Sequence, residues 1–64
     1  MRITVLPQRR HVELDGSRRV SDILQRLGLL PGTVMVIRGD SLLCDSDLVE
    51  PDESIEIRNV ISGG

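Results

Sequence analysis

Several residue types are missing or nearly missing from this 64-residue chain. It has no phenylalanine, tyrosine or tryptophan, so its core must be aliphatic and it offers no aromatic platform for stacked nucleic-acid bases. A single cysteine, Cys44, excludes an intrachain disulfide, and with only His11 beside it the four ligands of a structural zinc site are not available. Because no apolar run is long enough to span a membrane, we expect a cytoplasmic protein with no membrane partner.

Lysine is absent as well. All 8 basic residues are arginine, and 10 acidic residues bring the net charge to −2. This balance argues against direct binding of nucleic acid as the main activity. Genomic base composition is one explanation for the missing lysine. The other is functional, because a chain without lysine offers no side-chain amine on which isopeptide-linked copies of itself could be built.

Hydrophobic periodicity predicts one small domain with strands around a single helix. Apolar and polar residues alternate in "MRITVLP", "RRHVELD" and "SIEIRNV", which predicts three strands, the first two joined by a turn at residues 7–9. In "VSDILQRLG" the apolar residues fall at i, i+3, i+4 and i+7, which predicts a helix with Ser21 or Asp22 in its first turn and Gly28 just past its end. "TVMVIRGD" predicts a further strand, and "LLCDSDLVEPDE" an irregular segment with a short edge strand at residues 42–44. The fold class is therefore α+β, a small mixed sheet packed on one helix.

The strand in "TVMVIR" is apolar on both faces, and only one face can contact the helix. Either Val34 and Val36 or Met35 and Ile37 should stay partly exposed as a docking patch, unless the following loop buries them. Cys44 has acidic neighbours and no adjacent positive charge or helix start to favour a reactive thiolate. We expect it to be a small, partly buried apolar residue that carries no sulfur.

The last residues of the sequence are "ISGG". Together with "VSDILQRLGL", "VIRGDSLL" and "LVEPDESIEI", this ending resembles the ubiquitin-like sulfur carriers of the ThiS/MoaD family, in particular the TtuB-type carriers of tRNA thiolation. The similarity runs through essentially the whole chain. It implies a β-grasp (ubiquitin-like) domain over residues 1–61, a flexible Ser-Gly-Gly tail over residues 62–64, and a monomer.

The resemblance also implies a chemistry in which the chain is a protein cosubstrate and not an enzyme. An activating enzyme, an adenylyltransferase of the ubiquitin-activating type, would adenylate the carboxylate of Gly64. A sulfur donor of the cysteine desulfurase or rhodanese type would then convert it to a thiocarboxylate. A tRNA thiolase or a thiazole synthase would accept the sulfur. No cofactor is bound, because the activating partner uses the ATP.

The remaining site residues follow from the same resemblance and from the grasp topology. Gly63 and Ser62 would thread the channel of the activating enzyme, and Ile61 would be an apolar anchor in that partner. If the last strand lies parallel to the first, the tail leaves beside the turn at residues 7–10. Arg9, Arg10 and Arg58 would then surround the exit and meet acidic groups on the activating enzyme. The alternative is a solvated charged surface.

Other functions stay open at this point. The chain could be a protein modifier conjugated through Gly64 to lysines of target proteins, since this chemistry begins with the same adenylate. It could also be a plain β-grasp interaction module that stays fully active without Gly63 and Gly64. Among sulfur pathways, the ending and the compact length favour tRNA thiolation, then thiamine (thiazole) biosynthesis, and then molybdopterin synthesis.

Overall fold

A computed structural model describes residues 1–60 of the chain. It contains seven strands, one α-helix and one short 3₁₀ turn: β1 (Arg2–Leu6), β2 (Arg10–Glu13), β3 (Arg18–Arg19), α1 (Val20–Leu27), the 3₁₀ turn (Pro31–Thr33), β4 (Val34–Arg38), β5 (Ser41–Leu43), β6 (Leu48–Val49) and β7 (Ser54–Asn59). The predicted elements occur in the predicted order, and the structure adds two strands that the sequence did not predict, β3 and β6. The short edge strand lies one residue earlier than predicted.

Five of the strands form one mixed sheet in the order β2-β1-β7-β4-β5. The first and last strands are its central pair and run parallel, with Ile3 opposite Ile55 and Val5 opposite Ile57, as predicted. The other three pairings are antiparallel. A parallel pair needs a long crossover, and here the helix and the intervening strands provide it. The fold is α+β, in agreement with the β-grasp expectation.

The helix packs on one face of this sheet through its predicted apolar stripe. Val20, Ile23 and Leu24 are buried, and Leu27 packs against the buried cluster. Gly28 ends the helix in the left-handed conformation at φ 72°, which glycine adopts without the steric cost that a Cβ would bring. Asp22 lies in the first turn, as predicted.

The core is entirely aliphatic, with Met1 as its one sulfur-containing member. Ten apolar side chains are buried: Met1, Ile3, Val5, Val20, Ile23, Leu24, Val36, Val49, Ile55 and Ile57. No charged or polar side chain is buried among residues 1–60. The apolar residues of the alternating pattern that predicted β1 and β7 are therefore the ones that point into the core.

The segment before β7 is more ordered than its sequence predicted. The two-residue strands β3 and β6 pair antiparallel as a second sheet. Two arginines hold this segment: Arg19 donates to the carbonyl of Ser46 at 2.6 Å, and Arg38 donates to the carbonyl of Leu48 at 3.0 Å. Such short strands carry no alternation of their own, so the prediction of an irregular segment was wrong here.

Candidate functional site

The carboxyl-terminal end of the described chain is fixed to the rest of the domain by backbone hydrogen bonds. Asn59 lies opposite Val34 in the sheet, and the amide of Val60 donates to the carbonyl of Thr33 at 3.1 Å. Thr33 in turn donates to the carbonyl of Leu30 through its amide at 3.0 Å and its hydroxyl at 2.7 Å. Residues 61–64 therefore follow from a defined point, which we call the exit.

The predicted reactive and threading residues lie outside the described part of the chain. These are Ile61, Ser62, Gly63 and Gly64. Their roles stay predictions, as does the boundary between a domain at residues 1–61 and a tail at residues 62–64.

The three arginines predicted to surround the exit lie at the same end of the sheet. Arg58 is opposite Leu6 at the end of β1, and Arg10 is opposite Val5. Arg9 lies in the intervening turn with a left-handed backbone, at φ 59°. Because neighbouring residues of a strand point to opposite faces, Arg10 shares the helix-facing side of Val5, and Arg58 shares the opposite side with Leu6.

These arginines also differ in their electrostatic surroundings. Arg58 forms an ion pair with Glu56, 2.9 Å between Nη2 and Oε1, so much of its charge is compensated locally. Within residues 1–60, the guanidinium groups of Arg9 and Arg10 have no ion-pair partner, and both residues are exposed. The uncompensated positive charge near the exit therefore comes from the turn between β1 and β2.

The sheet side opposite α1, which we call the open face, carries an apolar patch. In β4, Val36 is buried against the helix, whereas Met35 is 37% exposed and Ile37 half-buried. The sequence left open whether Val34 and Val36 or Met35 and Ile37 would be partly exposed. The structure shows that Met35 and Ile37 point away from the helix. Leu42, which is 63% exposed, lies opposite Ile37, and Leu6 extends the patch through the row Leu6–Arg58–Met35.

A second apolar feature, which the hydrophobic periodicity did not predict, borders the exit. A cavity of about 260 Å³ lies between the ends of β1, β4 and β7 and the segment after α1; its lining is Val5, Leu6, Gln8, Leu29, Thr33, Val34, Ile57 and Asn59. Leu30 and Val60 are exposed nearby. The only sequence signal for this feature is the Leu29-Leu30 pair after Gly28, which the helix pattern does not use.

Cys44 is exposed, so the expectation of a partly buried residue was wrong. It lies in a tight turn in which its own amide donates to Asp47 Oδ2 at 2.6 Å, and this turn directs it away from the core. No group of three or more His, Cys, Asp or Glu side chains in residues 1–60 could hold a metal ion. In the same part of the chain, no helix is long and apolar enough to cross a membrane.

Comparison with known proteins relates the chain to a sulfur carrier over its full length. No family model matches the chain. Over 65 aligned residues, the sequence is 42% identical to sulfur carrier protein TtuB of Thermus thermophilus, and the alignment covers 100% of both chains. The similarity therefore includes the described domain, the exit and the residues that follow it.

Proposed function

The chain belongs to the ubiquitin-like sulfur carriers of the ThiS/MoaD family, and from this membership we propose that it carries sulfur on the carboxylate of Gly64 for tRNA thiolation. The observation that carries the proposal is the 42% identity to a sulfur carrier over the full length of both proteins. The terminal Gly63 and Gly64 of the sequence supply the group on which this chemistry operates.

The proposed reaction has three steps. The Gly64 carboxylate oxygen attacks the α-phosphorus of ATP on the activating enzyme, and pyrophosphate leaves. The outer sulfur of the donor's persulfide then attacks the acyl carbon, AMP leaves with the electron pair of the C–O bond, and an acyl disulfide to the donor forms. In the third step a thiol attacks the donor's sulfur and forms a disulfide with it, and the thiocarboxylate leaves. Since a free carboxylate is a poor electrophile, the adenylate is what makes the second step possible.

The chain's own residues deliver the carboxylate and do not perform the chemistry. The hydrogen bond from Val60 to Thr33 fixes the exit, and the four residues beyond it can reach on the order of 13 Å. That span suits entry into a partner's active site while the folded domain stays outside. Glycine fits the last two positions because a side chain would collide with a channel shaped for backbone.

Two surfaces support docking of the activating enzyme. The apolar patch of Leu6, Met35, Ile37 and Leu42 on the open face can be buried by a partner. Arg9 and Arg10 add uncompensated positive charge at the same end as the exit, which would accelerate encounter with an acidic partner surface. A docked domain with these contacts would direct residues 61–64 towards the nucleotide.

Among the sulfur pathways, we place tRNA thiolation first and thiamine biosynthesis second, because the sequence looks like the TtuB-type carriers. The acceptor would then be a tRNA thiolase and the sulfur source a cysteine desulfurase or rhodanese. Deletion of the gene tests the pathway. We expect the thiolated nucleoside of tRNA to disappear while growth without thiamine continues, and loss of thiamine synthesis alone would contradict the assignment.

The activation step has its own test. The purified chain, its activating enzyme and ATP should release pyrophosphate, and a chain that lacks Gly64 should release none. The matched control is Gln25→Ala, a change on the exposed side of α1 away from both docking surfaces, which should react like the original chain. Equal pyrophosphate release with and without Gly64 would overturn the proposal. Ladders of conjugates on other proteins would show that the chain is also a protein modifier.

A further inference from the structure

The absence of lysine leaves the α-amino group of Met1 as the one primary amine of the 64-residue chain. Guanidinium groups stay protonated in proteins and do not act as nucleophiles towards acyl groups. Any amide bond between the activated carboxyl group of one copy of this chain and a second copy must therefore use Met1; the exposed thiol of Cys44 could form only a thioester, which excess thiol cleaves. The position of the Met1 amine in the fold then determines whether the protein can form an amide with itself.

Three backbone hydrogen bonds hold the first residues of the chain in the sheet. The amine of Met1 donates to the carbonyl of Leu14 at 2.7 Å, and the amide of Leu14 returns a bond to the carbonyl of Met1 at 3.1 Å. The amide of Arg2 donates to the carbonyl of Glu53 at 3.1 Å. Met1 itself is only 8% exposed, and its side chain belongs to the core cluster. The amine is thus held by the same contacts that hold the core.

The surface around Met1 is acidic. A concavity of about 410 Å³ borders it, and four carboxylates line it. Glu13 and Glu53 form ion pairs with Arg2 and Arg38, whereas Asp15 and Asp52 have no ion-pair partner within residues 1–60. An acyl-adenylate carries a negative phosphate group, so this border repels the species that the amine would have to attack. The acidic surface and the burial of Met1 therefore both disfavour acylation of its amine.

The chain's own tail cannot reach this amine. Met1 is next to the row in which Arg2 faces Ser54, whereas the exit lies at the other end of β7. From Ser54 to Val60 an extended strand covers about 20 Å, and the four residues beyond reach on the order of 13 Å. Head-to-tail cyclisation is excluded by distance.

We propose that folding withholds the only primary amine of this chain from acyl transfer, so that the protein donates its activated carboxyl group but does not accept one in amide linkage. The functional meaning rests on the proposed activation of Gly64. In the reaction that is prevented, the neutral amine attacks the acyl carbon and a C–N bond forms. AMP leaves with the C–O electron pair, and the nitrogen gives up one proton to water. Such a product would consume activated carrier without transfer of sulfur.

Acetylation by the N-hydroxysuccinimide ester of acetic acid tests the inference without any activating enzyme. Intact mass first establishes that Met1 is present. The matched control carries Gly-Ser before Met1, so that an amide can still donate to Leu14 while the amine moves into solvent. We expect the original chain to be acetylated about tenfold more slowly than the control, because its amine reacts only after local opening. In urea the difference should vanish. Folded-state rates within about twofold of each other would overturn the inference.

A second arm uses the activating enzyme and ATP in a buffer free of amines. The Gly-Ser form, and a Gln25→Lys form with an exposed amine on α1, should produce covalent self-conjugates that the original chain does not. Self-conjugates of the original chain that persist in excess thiol, which cleaves thioesters but not amides, would overturn the inference. If no form releases pyrophosphate, the proposed activation of Gly64 fails, and the acetylation rates still decide the accessibility of the amine.

Discussion

Replacement of Leu42 by serine should weaken docking of the activating enzyme with little effect on stability. Leu42 is 63% exposed and is the most exposed member of the open-face patch, at its β5 edge. Complete burial of a leucine side chain stabilises by about 1.5–3 kcal/mol, so a partner that covers the exposed part gains about 1–2 kcal/mol. Its loss should raise the KM for the carrier in pyrophosphate release by about 5- to 30-fold.

Leu48→Ser is the matched control, because Leu48 is also an exposed leucine, at 43%, but lies in β6 outside the five-stranded sheet. Both substitutions should change the free energy of unfolding by less than about 0.5 kcal/mol, as expected of surface positions. Thermal unfolding measured beside the kinetics separates docking from folding. If Leu42→Ser and Leu48→Ser shift KM equally, or neither does, the open face is not the docking surface.

Three further changes test separate features. Gly28→Ala should lower the free energy of unfolding by about 1 kcal/mol and the Tm by about 4–8 °C, because alanine is strained in the left-handed conformation; an unchanged Tm would contradict this. Hydrogen bonds from two arginines hold the pKa of Asp22 below its ordinary value of 3.8, so its stabilisation is present above that pH and is lost on further acidification. Asp22→Asn should therefore lower the Tm at pH 7 but not at pH 2. An equal decrease in Tm at both pH values would show that the ionised carboxylate is not the source of the stabilisation. Reversal of charge at both Arg9 and Arg10 should slow association with the activating enzyme about tenfold at low salt and by less at high salt. An unchanged association rate would show that these two arginines do not accelerate the encounter.

The features that the sequence predicted well are local or periodic. The helix follows from four apolar residues at helical spacing and from Gly28, which ends it within one residue of the predicted position. The inward faces of β1 and β7 follow from strict alternation, as with Ile55 and Ile57. Each of these patterns lies within one helix or strand, so it does not depend on how the other elements are arranged.

The features that could not be predicted depend on contacts between distant segments. The pairing of β3 with β6 involves two residues on each side, with no period to detect. β4 is apolar on both faces, so only the position of the helix decides that Met35 points outward and Val36 inward. The cavity at the exit is assembled from several separate segments, and Cys44 is exposed because of a tight turn.

The central claim, that the Gly64 carboxylate takes up sulfur, is tested most directly by intact mass spectrometry. The purified chain is incubated with its activating enzyme, ATP, a cysteine desulfurase with cysteine, and a dithiol that releases the thiocarboxylate from its disulfide with the donor. We expect a mass change equal to the exchange of one oxygen for one sulfur, present in the original chain and absent when Gly64 is deleted. Release of pyrophosphate with no change in mass, or the same change without Gly64, would contradict it.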